Sequence, residues 1–369
     1  MSQDRIARLQ AELKKRQVDC LALVPGFNLR YMTGLEFHLM ERATILFIPA
    51  EGAPVFALPS LELAKVEAAS HLGAQAFAYP DGTEPHAALI AAIQALPEVH
   101  TLAVEYLRMR VHELQLIQAH LPNAQLSDAG PLMDTLRLCK TADEIAAMRR
   151  AIAISEDALR TVAERVKPGM TEIQVASILS IAMLEGGGGA LPFEPIVLAG
   201  PRGALPHGIQ DETVIKPTDI LLLDYGTSYG GYISDITRTL FVGQPPAGRF
   251  AEVYQTVKAA NAAGRAAAKP GVPCQEVDRA ARRVIEDAGY GPYFIHRVGH
   301  GIGMEGHEGP YMVEGNTLPL EVGMTFTVEP GIYIPGEVGV RIEDDMLVTE
   351  DGAESLTTFP RDVLVVGAS

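Results

Sequence analysis

The chain has 369 residues, 47% of them hydrophobic, and a formal net charge of −16. That length points to two domains with a sizeable core. The acidic balance argues against nucleic acid and membrane surfaces as partners, and no uncharged apolar run is long enough for a membrane span.

The opening MSQDRIARLQAELKKRQ carries Ile6, Leu9 and Leu13 at helical spacing among charges, so it predicts an amphipathic helix and not a signal peptide. CLALVPG, ATILFIPA and PVFALP follow as short apolar runs bounded by Gly and Pro, the pattern of strands. Helical stretches such as PHAALIAAIQAL and VHELQLIQAHL intervene, giving a mixed α/β (α+β) first domain over 1–130. A boundary falls near SDAGPLMDTLRLCKTADE, and the second domain takes 131–369. There Thr141 and Glu144 form a capping-box pattern before a long helix, and a second helix runs over 172–184 to a tight bend at GGGG, 186–189. Two more helices are expected over 249–268 and 275–288, followed by a glycine-rich strand region. The order helix–hairpin–helix–hairpin suggests two similar halves. Cys20, Cys139 and Cys274 stand far apart and outside any C-x-x-C pair, so they read as free thiols in a reducing cytoplasm.

The candidate chemistry lies in the two hairpins. In ILLLDYGTSYGGYISDITRTL, a turn at Tyr229-Gly230 puts Asp224 directly opposite Asp235. Cβ atoms of such neighbours are about 4.5–5.5 Å apart, and like charges there are destabilising. In MTFTVEPGIYIPGEVGVRIEDDMLV, a turn centred on Gly336 puts Glu329 opposite Glu343, with Arg341 on the Glu343 face. His207 and the run FIHRVGHGIGMEGHE, with His296, His300 and His307, add imidazoles; the glycines around His300 permit close backbone approach. Opposed carboxylates with an imidazole suit two divalent ions, which would remove the repulsion. Oxygen-rich ligation with one nitrogen fits Mn²⁺, Co²⁺, Zn²⁺ or Fe²⁺.

At these residues the chain resembles the pita-bread metallopeptidases, and within them the proline-specific branch of prolidase and aminopeptidase P. The resemblance runs from about Leu136 to Val365 through GALPHG, LLLDYGTSYGGYISDITRTLFVG, VGHGIGMEGHE, TFTVEPGIY and VRIEDDMLVT. The first domain, including NLRYMTG, resembles the creatinase-type amino-terminal domain of that branch. The resemblance implies Asp224, Asp235, His300, Glu329 and Glu343 as metal ligands, with Glu329 also the general base. It implies His207 and His307 lining the substrate site and stabilising the intermediate, His296 at the substrate end, and Arg341 holding the acidic ligands.

The implied activity is hydrolysis of short peptides, foremost Xaa-Pro dipeptides. Aminopeptidase P-type cleavage of longer peptides and carboxyl-terminal trimming are the alternatives. A metal-free creatinase-like hydrolase and a binding-only protein rank below them, because all five ligand positions are intact. Relatives of this kind are commonly dimers with amino-terminal loops near the partner's cleft. Arg42, with His38, in GLEFHLMERATILF would then close the neighbouring site on a peptide carboxylate.

Overall fold

The computed structural model describes residues 2–368, which form two compact units divided between Arg137 and Leu138. The division lies beyond the expected 130/131 because the Gly130–Arg137 helix is tied to the first unit. Arg16 Nη2 donates to the Pro131 carbonyl at 3.2 Å, and Tyr31 Oη donates to that of Leu136 at 2.8 Å.

The first unit is built on a six-stranded sheet. Its spatial order is Gln75–Tyr79, Val55–Pro59, Ile45–Pro49, Cys20–Leu23, Thr101–Val104, Gln125–Asp128. Cys20–Leu23 runs antiparallel to Ile45–Pro49 and parallel to Thr101–Val104, so the sheet is mixed. The expected strands CLAL, ILFIP and VFALP are all present and fully buried, as continuous apolar runs require when both faces are covered. The Ser2–Arg16 helix buries Ile6, Leu9 and Leu13. Helices His86–Gln94 and Val111–His120 stand where their periodicity places them.

In the second unit, Thr141 Oγ1 accepts the Glu144 amide and the Glu144 carboxylate accepts that of Thr141, completing the capping box of helix Ala142–Arg165. Helix Glu172–Glu185 opens with a second box, Thr171 with Gln174, and ends on the glycine run. That run is a tight bend: Gly187 has φ 86°, and a Cβ at Gly188 would meet Thr227 Oγ1 at 2.3 Å. A four-stranded sheet follows, ordered Val365–Val366, Ile236–Val242, Ile220–Tyr225, Ile196–Ala199. Helices Arg249–Ala267 and Cys274–Asp287 then precede a five-stranded sheet, ordered Glu308–Met312, Gly299–Gly301, Thr325–Val328, Asp344–Thr349, Gly352–Ser355. A helix pair thus precedes each sheet, in the order the sequence suggested. Val253, Val257, Val277 and Ile285 from these helices share one buried core with Phe326, Val328, Ile332 and Val340. Each such side chain contributes roughly 1.5–3 kcal/mol on burial, which makes the strand ends rigid platforms.

The first hairpin corrects the sequence reading. Its two-residue turn is Gly230-Gly231, with φ 58° and 88°, and Tyr229 pairs with Tyr232. Asp224 therefore faces Thr237, not Asp235. Two consecutive positive φ values favour Gly-Gly over Tyr-Gly, so the turn sits one residue later than expected. Side chains alternate with period two, so this shift moves the partner but keeps the two acids on one face. The second hairpin has the expected register. Val328 pairs with Asp344 and Gly331 with Arg341, which brackets Glu329 opposite Glu343.

Candidate metal centre

Asp224 is the penultimate residue of the Ile220–Tyr225 strand, and Asp235 immediately precedes Ile236–Val242. The Asp235 amide donates to Asp345 Oδ2 at 3.1 Å, fixing the backbone from which its carboxylate projects. His300 lies in the short Gly299–Gly301 strand. A Cβ at Gly299 would meet the Thr327 carbonyl oxygen at 1.9 Å, and one at Gly301 that of Gly309 at 1.9 Å. Only glycines let this strand pack so closely that the imidazole is buried. His300 Nδ1 lies 3.1 Å from the Gly301 carbonyl, so an N–H there donates and Nε2 is the nitrogen that faces the acids.

His300 Nε2 lies 3.2 Å from Glu329 Oε1 and 3.9 Å from Asp235 Oδ2. Ligand atoms of Asp235, His300 and Glu343 all fall within 4.8 Å of one another, and all three residues are buried. Glu343 Oε2 accepts the Thr237 hydroxyl at 2.5 Å, and its amide donates to the Thr237 carbonyl at 3.1 Å. Thr237, the true partner of Asp224, therefore holds another acid of the cluster.

These carboxylates are in electrostatic conflict. Burial, then the charges of Glu343 and Asp224, push Asp235 well above the usual carboxylate range. Burial, Glu329 and Asp224 do the same to Glu343. Burial raises Asp224 as well, against the pull of Arg341. Burial also acts to raise Glu329, but the hydrogen bond and charge of His300, with His296 and Arg341, hold it down to about 2. Arg341 is already engaged: it donates to Asp224 Oδ2 at 2.5 Å, Thr237 Oγ1 at 3.0 Å and Tyr333 Oη at 2.7 Å. Asp224 Oδ1 is buried with no hydrogen-bond partner. An orphaned carboxylate oxygen, mutually repelling acids and an imidazole nitrogen turned toward them fit divalent cations, which would satisfy all three.

The remaining histidines surround this cluster differently. The His307 ring lies 4.1 Å from that of His300, and partial desolvation by its neighbours, followed by the His300 charge, lowers the pKa of this otherwise exposed side chain to about 4. His296 Nδ1 lies 2.7 Å from the Arg297 carbonyl and Nε2 lies 2.9 Å from Tyr333 Oη. With Nδ1–H donating, Nε2 accepts the Tyr333 proton. His207 is exposed, on a loop that follows the Gly200–Ala204 turn. That turn packs on the Arg341 strand so tightly that a Cβ at Gly339 would meet the Gly203 oxygen at 1.7 Å.

Several positioning residues escaped the sequence reading. Glu172 is wholly buried; its carboxylate accepts the Ala199 amide at 2.8 Å, Arg202 Nε at 3.0 Å and the Asp211 amide at 3.1 Å. Both ends of the His207 loop thus close on one side chain. An acid in the first turn of a helix reads as dipole complementation, and nothing local reveals its distant partners. Tyr333 and Thr237 were likewise hidden among ordinary strand residues. Arg42 Nε lies 2.6 Å from Asp81 Oδ1 and its Nη1 lies 2.8 Å from Glu41, while His38 is exposed.

Residues 146–350 match Metallopeptidase family M24, and residues 5–139 match the Creatinase/Prolidase N-terminal domain. The chain belongs to metallopeptidase family M24. A probable dipeptidase PepE of Mycobacterium bovis is 40% identical over 352 residues, covering 95% of this chain and 92% of that one. The Xaa-Pro dipeptidase of Lactobacillus helveticus is 34% identical over 362 residues, covering 97% and 98%. Among solved structures, the prolidase from Thermococcus sibiricus superposes with a TM-score of 0.94 at 33% identity, covering 99% of each chain. As a member of this family the protein is a metallopeptidase with a creatinase-type amino-terminal domain and a pita-bread catalytic domain, and family membership carries divalent-metal use with it. Among the described residues no helix is long and apolar enough to cross a membrane.

Proposed function

We propose that this M24 member hydrolyses short peptides, foremost Xaa-Pro dipeptides, with two divalent ions per chain held by Asp224, Asp235, His300, Glu329 and Glu343. The observation that carries this reading is the placement of His300 Nε2 3.2 Å from Glu329 and 3.9 Å from Asp235, beside buried Glu343. Relatives named dipeptidase, Xaa-Pro dipeptidase and prolidase, matched over nearly their whole length, support the substrate class. Mn²⁺, Co²⁺, Zn²⁺ and Fe²⁺ all suit the donor set.

When bound, the ions would supply positive charge that acidifies water and offsets the charge of the acids. Glu329, a carboxylate that is ionised at neutral pH, accepts the proton of the attacking water and passes it to the departing amine. His307, neutral above its pKa of about 4, donates an N–H to the carbonyl oxygen as that oxygen becomes an oxyanion, with His207 facing it from the opposing loop. His296, oriented by Tyr333, contacts the substrate end. Arg341 sets the Asp224 carboxylate. The free thiols support a cytoplasmic setting, and a homodimer completes the reading.

The test is metal analysis joined to kinetics on Ala-Pro, Ala-Pro-Ala and Ala-Ala. Preference for Ala-Pro, loss of turnover in chelator and restoration by Mn²⁺ or Co²⁺ are expected. Full turnover in metal-free protein would remove the metallohydrolase assignment, and preference for Ala-Pro-Ala would move the protein to the aminopeptidase type. Light scattering tests the dimer.

A further inference from the structure

A dipeptide brings a free carboxylate into a cleft already crowded with acids, so something positive must receive it. Most arginines around the centre are committed. Arg341 is held by Asp224, Arg202 by Glu172 and Asp211, and Arg282 by Asp278 at 2.8 Å. Arg297 differs. It is half-buried, and its guanidinium carbon lies 4.4 Å from the centroid of the Tyr311 ring. Among the described residues no acceptor stands within hydrogen-bonding reach of its guanidinium.

The surroundings form a receiving notch. Tyr311 belongs to the Glu308–Met312 strand, whose first residue directly follows His307. Glu308, Pro310 and Met312 are buried, whereas His307 is exposed, Gly309 half-buried and Tyr311 37% exposed. His307, Gly309 and Tyr311 therefore line the outer face, with no side chain at Gly309 to fill the space between the other two. A guanidinium held over an aromatic ring keeps N–H groups free and loses little further freedom on binding, the arrangement suited to a bidentate carboxylate.

We propose that Arg297, braced on Tyr311, receives the free terminal carboxylate of the peptide in the notch over Gly309 and so sets the preference for substrates that end just beyond the scissile bond. This rests on the dipeptidase reading above and deepens it. It assigns the carboxylate to Arg297 within the catalytic unit and not to Arg42, whose charge Asp81 and Glu41 already answer.

The experiment compares kcat/KM for Ala-Pro and its carboxyamide in the metal-loaded wild type and in Arg297→Gln, Arg297→Lys, Tyr311→Phe and Arg42→Ala. Removing charge-assisted hydrogen bonds to the carboxylate should cut the acid-to-amide ratio about 10- to 100-fold in Arg297→Gln, through KM. Turnover of the amide should fall far less than that of the acid, and metal content should be unchanged. Arg297→Lys, which keeps the charge and serves as the folding-tolerant variant, should retain part of the ratio, and Tyr311→Phe, which keeps the ring, most of it. A merely structural Arg297 would lower both substrates alike, and that result overturns the proposal. So does a wild type indifferent to amidation, or a ratio lost in Arg42→Ala but kept in Arg297→Gln. If the wild type favours Ala-Pro-Ala over Ala-Pro, the dipeptidase reading fails by itself. The Arg297 assignment is then decided by the same ratio measured on Ala-Pro-Ala and its amide.

Discussion

Arg341 and Asp224 form an ion pair of 2.5 Å, with 3% and 13% of their side chains exposed. The guanidinium occupies one carboxylate oxygen and leaves the other, Oδ1, buried and without a partner. It therefore orients this proposed ligand as well as neutralising it. Arg341→Met should free Asp224 to turn and leave it an uncompensated charge. A drop of about 10–100-fold in metal affinity is expected, as for other groups that support metal ligands. Titration of the chelated protein with Mn²⁺, followed by calorimetry, checks it; unchanged affinity would reduce Arg341 to a packing role.

Asp235→Asn should remove one of the conflicting charges at nearly constant volume. Metal binding and kcat should collapse while the fold persists. In metal-free protein the variant should melt at a higher temperature than the wild type, because the buried repulsion with Glu343 and Asp224 is relieved. Paired melting curves with and without chelator measure both effects, and a lower Tm in chelator would contradict the electrostatic account.

The pH dependence of metal-free protein follows from the same conflict. Asp235 and Glu343 have folded pKa values raised well above their ordinary ones. The folded state therefore binds more protons than the unfolded state between those limits, so stability falls as pH rises from the ordinary carboxylate range through the folded values. Glu329, held at about 2, acts in the opposite sense: its contribution is present above pH 4.5 and is lost as pH falls toward 2. Chelated protein should thus lose stability from mildly acid toward neutral pH, and metal should remove that loss. Urea melts across this range with and without Mn²⁺ provide the check; a slope indifferent to metal would refute it.

His307→Ala should leave metal content intact, since its ring lies tilted against that of His300 and is not among the proposed ligands. Loss of one oxyanion donor typically costs about 10²–10³ in kcat. Loss of metal from this variant would place His307 among the ligands instead.

Glu172→Gln keeps the shape of the clamp but removes its charge, at a cost of about 1–3 kcal/mol to the loop it holds. Faster proteolysis within residues 200–211 and a lower kcat are expected, with metal affinity unaltered. A loop as resistant as in the wild type would show that its other contacts suffice.

The sequence by itself determined much of this protein, for local reasons. Apolar runs bounded by Gly and Pro specify the strands of the first unit, and Thr141 with Glu144 specifies a helix start, because each signal is complete within a few residues. The Gly336-centred register set Glu329 opposite Glu343, since a single turn fixes every pairing beyond it. The first hairpin shows the limit. Tyr229-Gly230 and Gly230-Gly231 differ by one residue on paper, and only the backbone, with both glycines at positive φ, chose Thr237 as the partner of Asp224. What the tertiary structure alone decided are contacts between residues far apart in the chain: Glu172 closing the His207 loop, Tyr333 linking His296 to Arg341, and Arg297 left on Tyr311 without an acid. A buried charge is defined by what surrounds it, and those surroundings come into being only when distant strands and loops pack together.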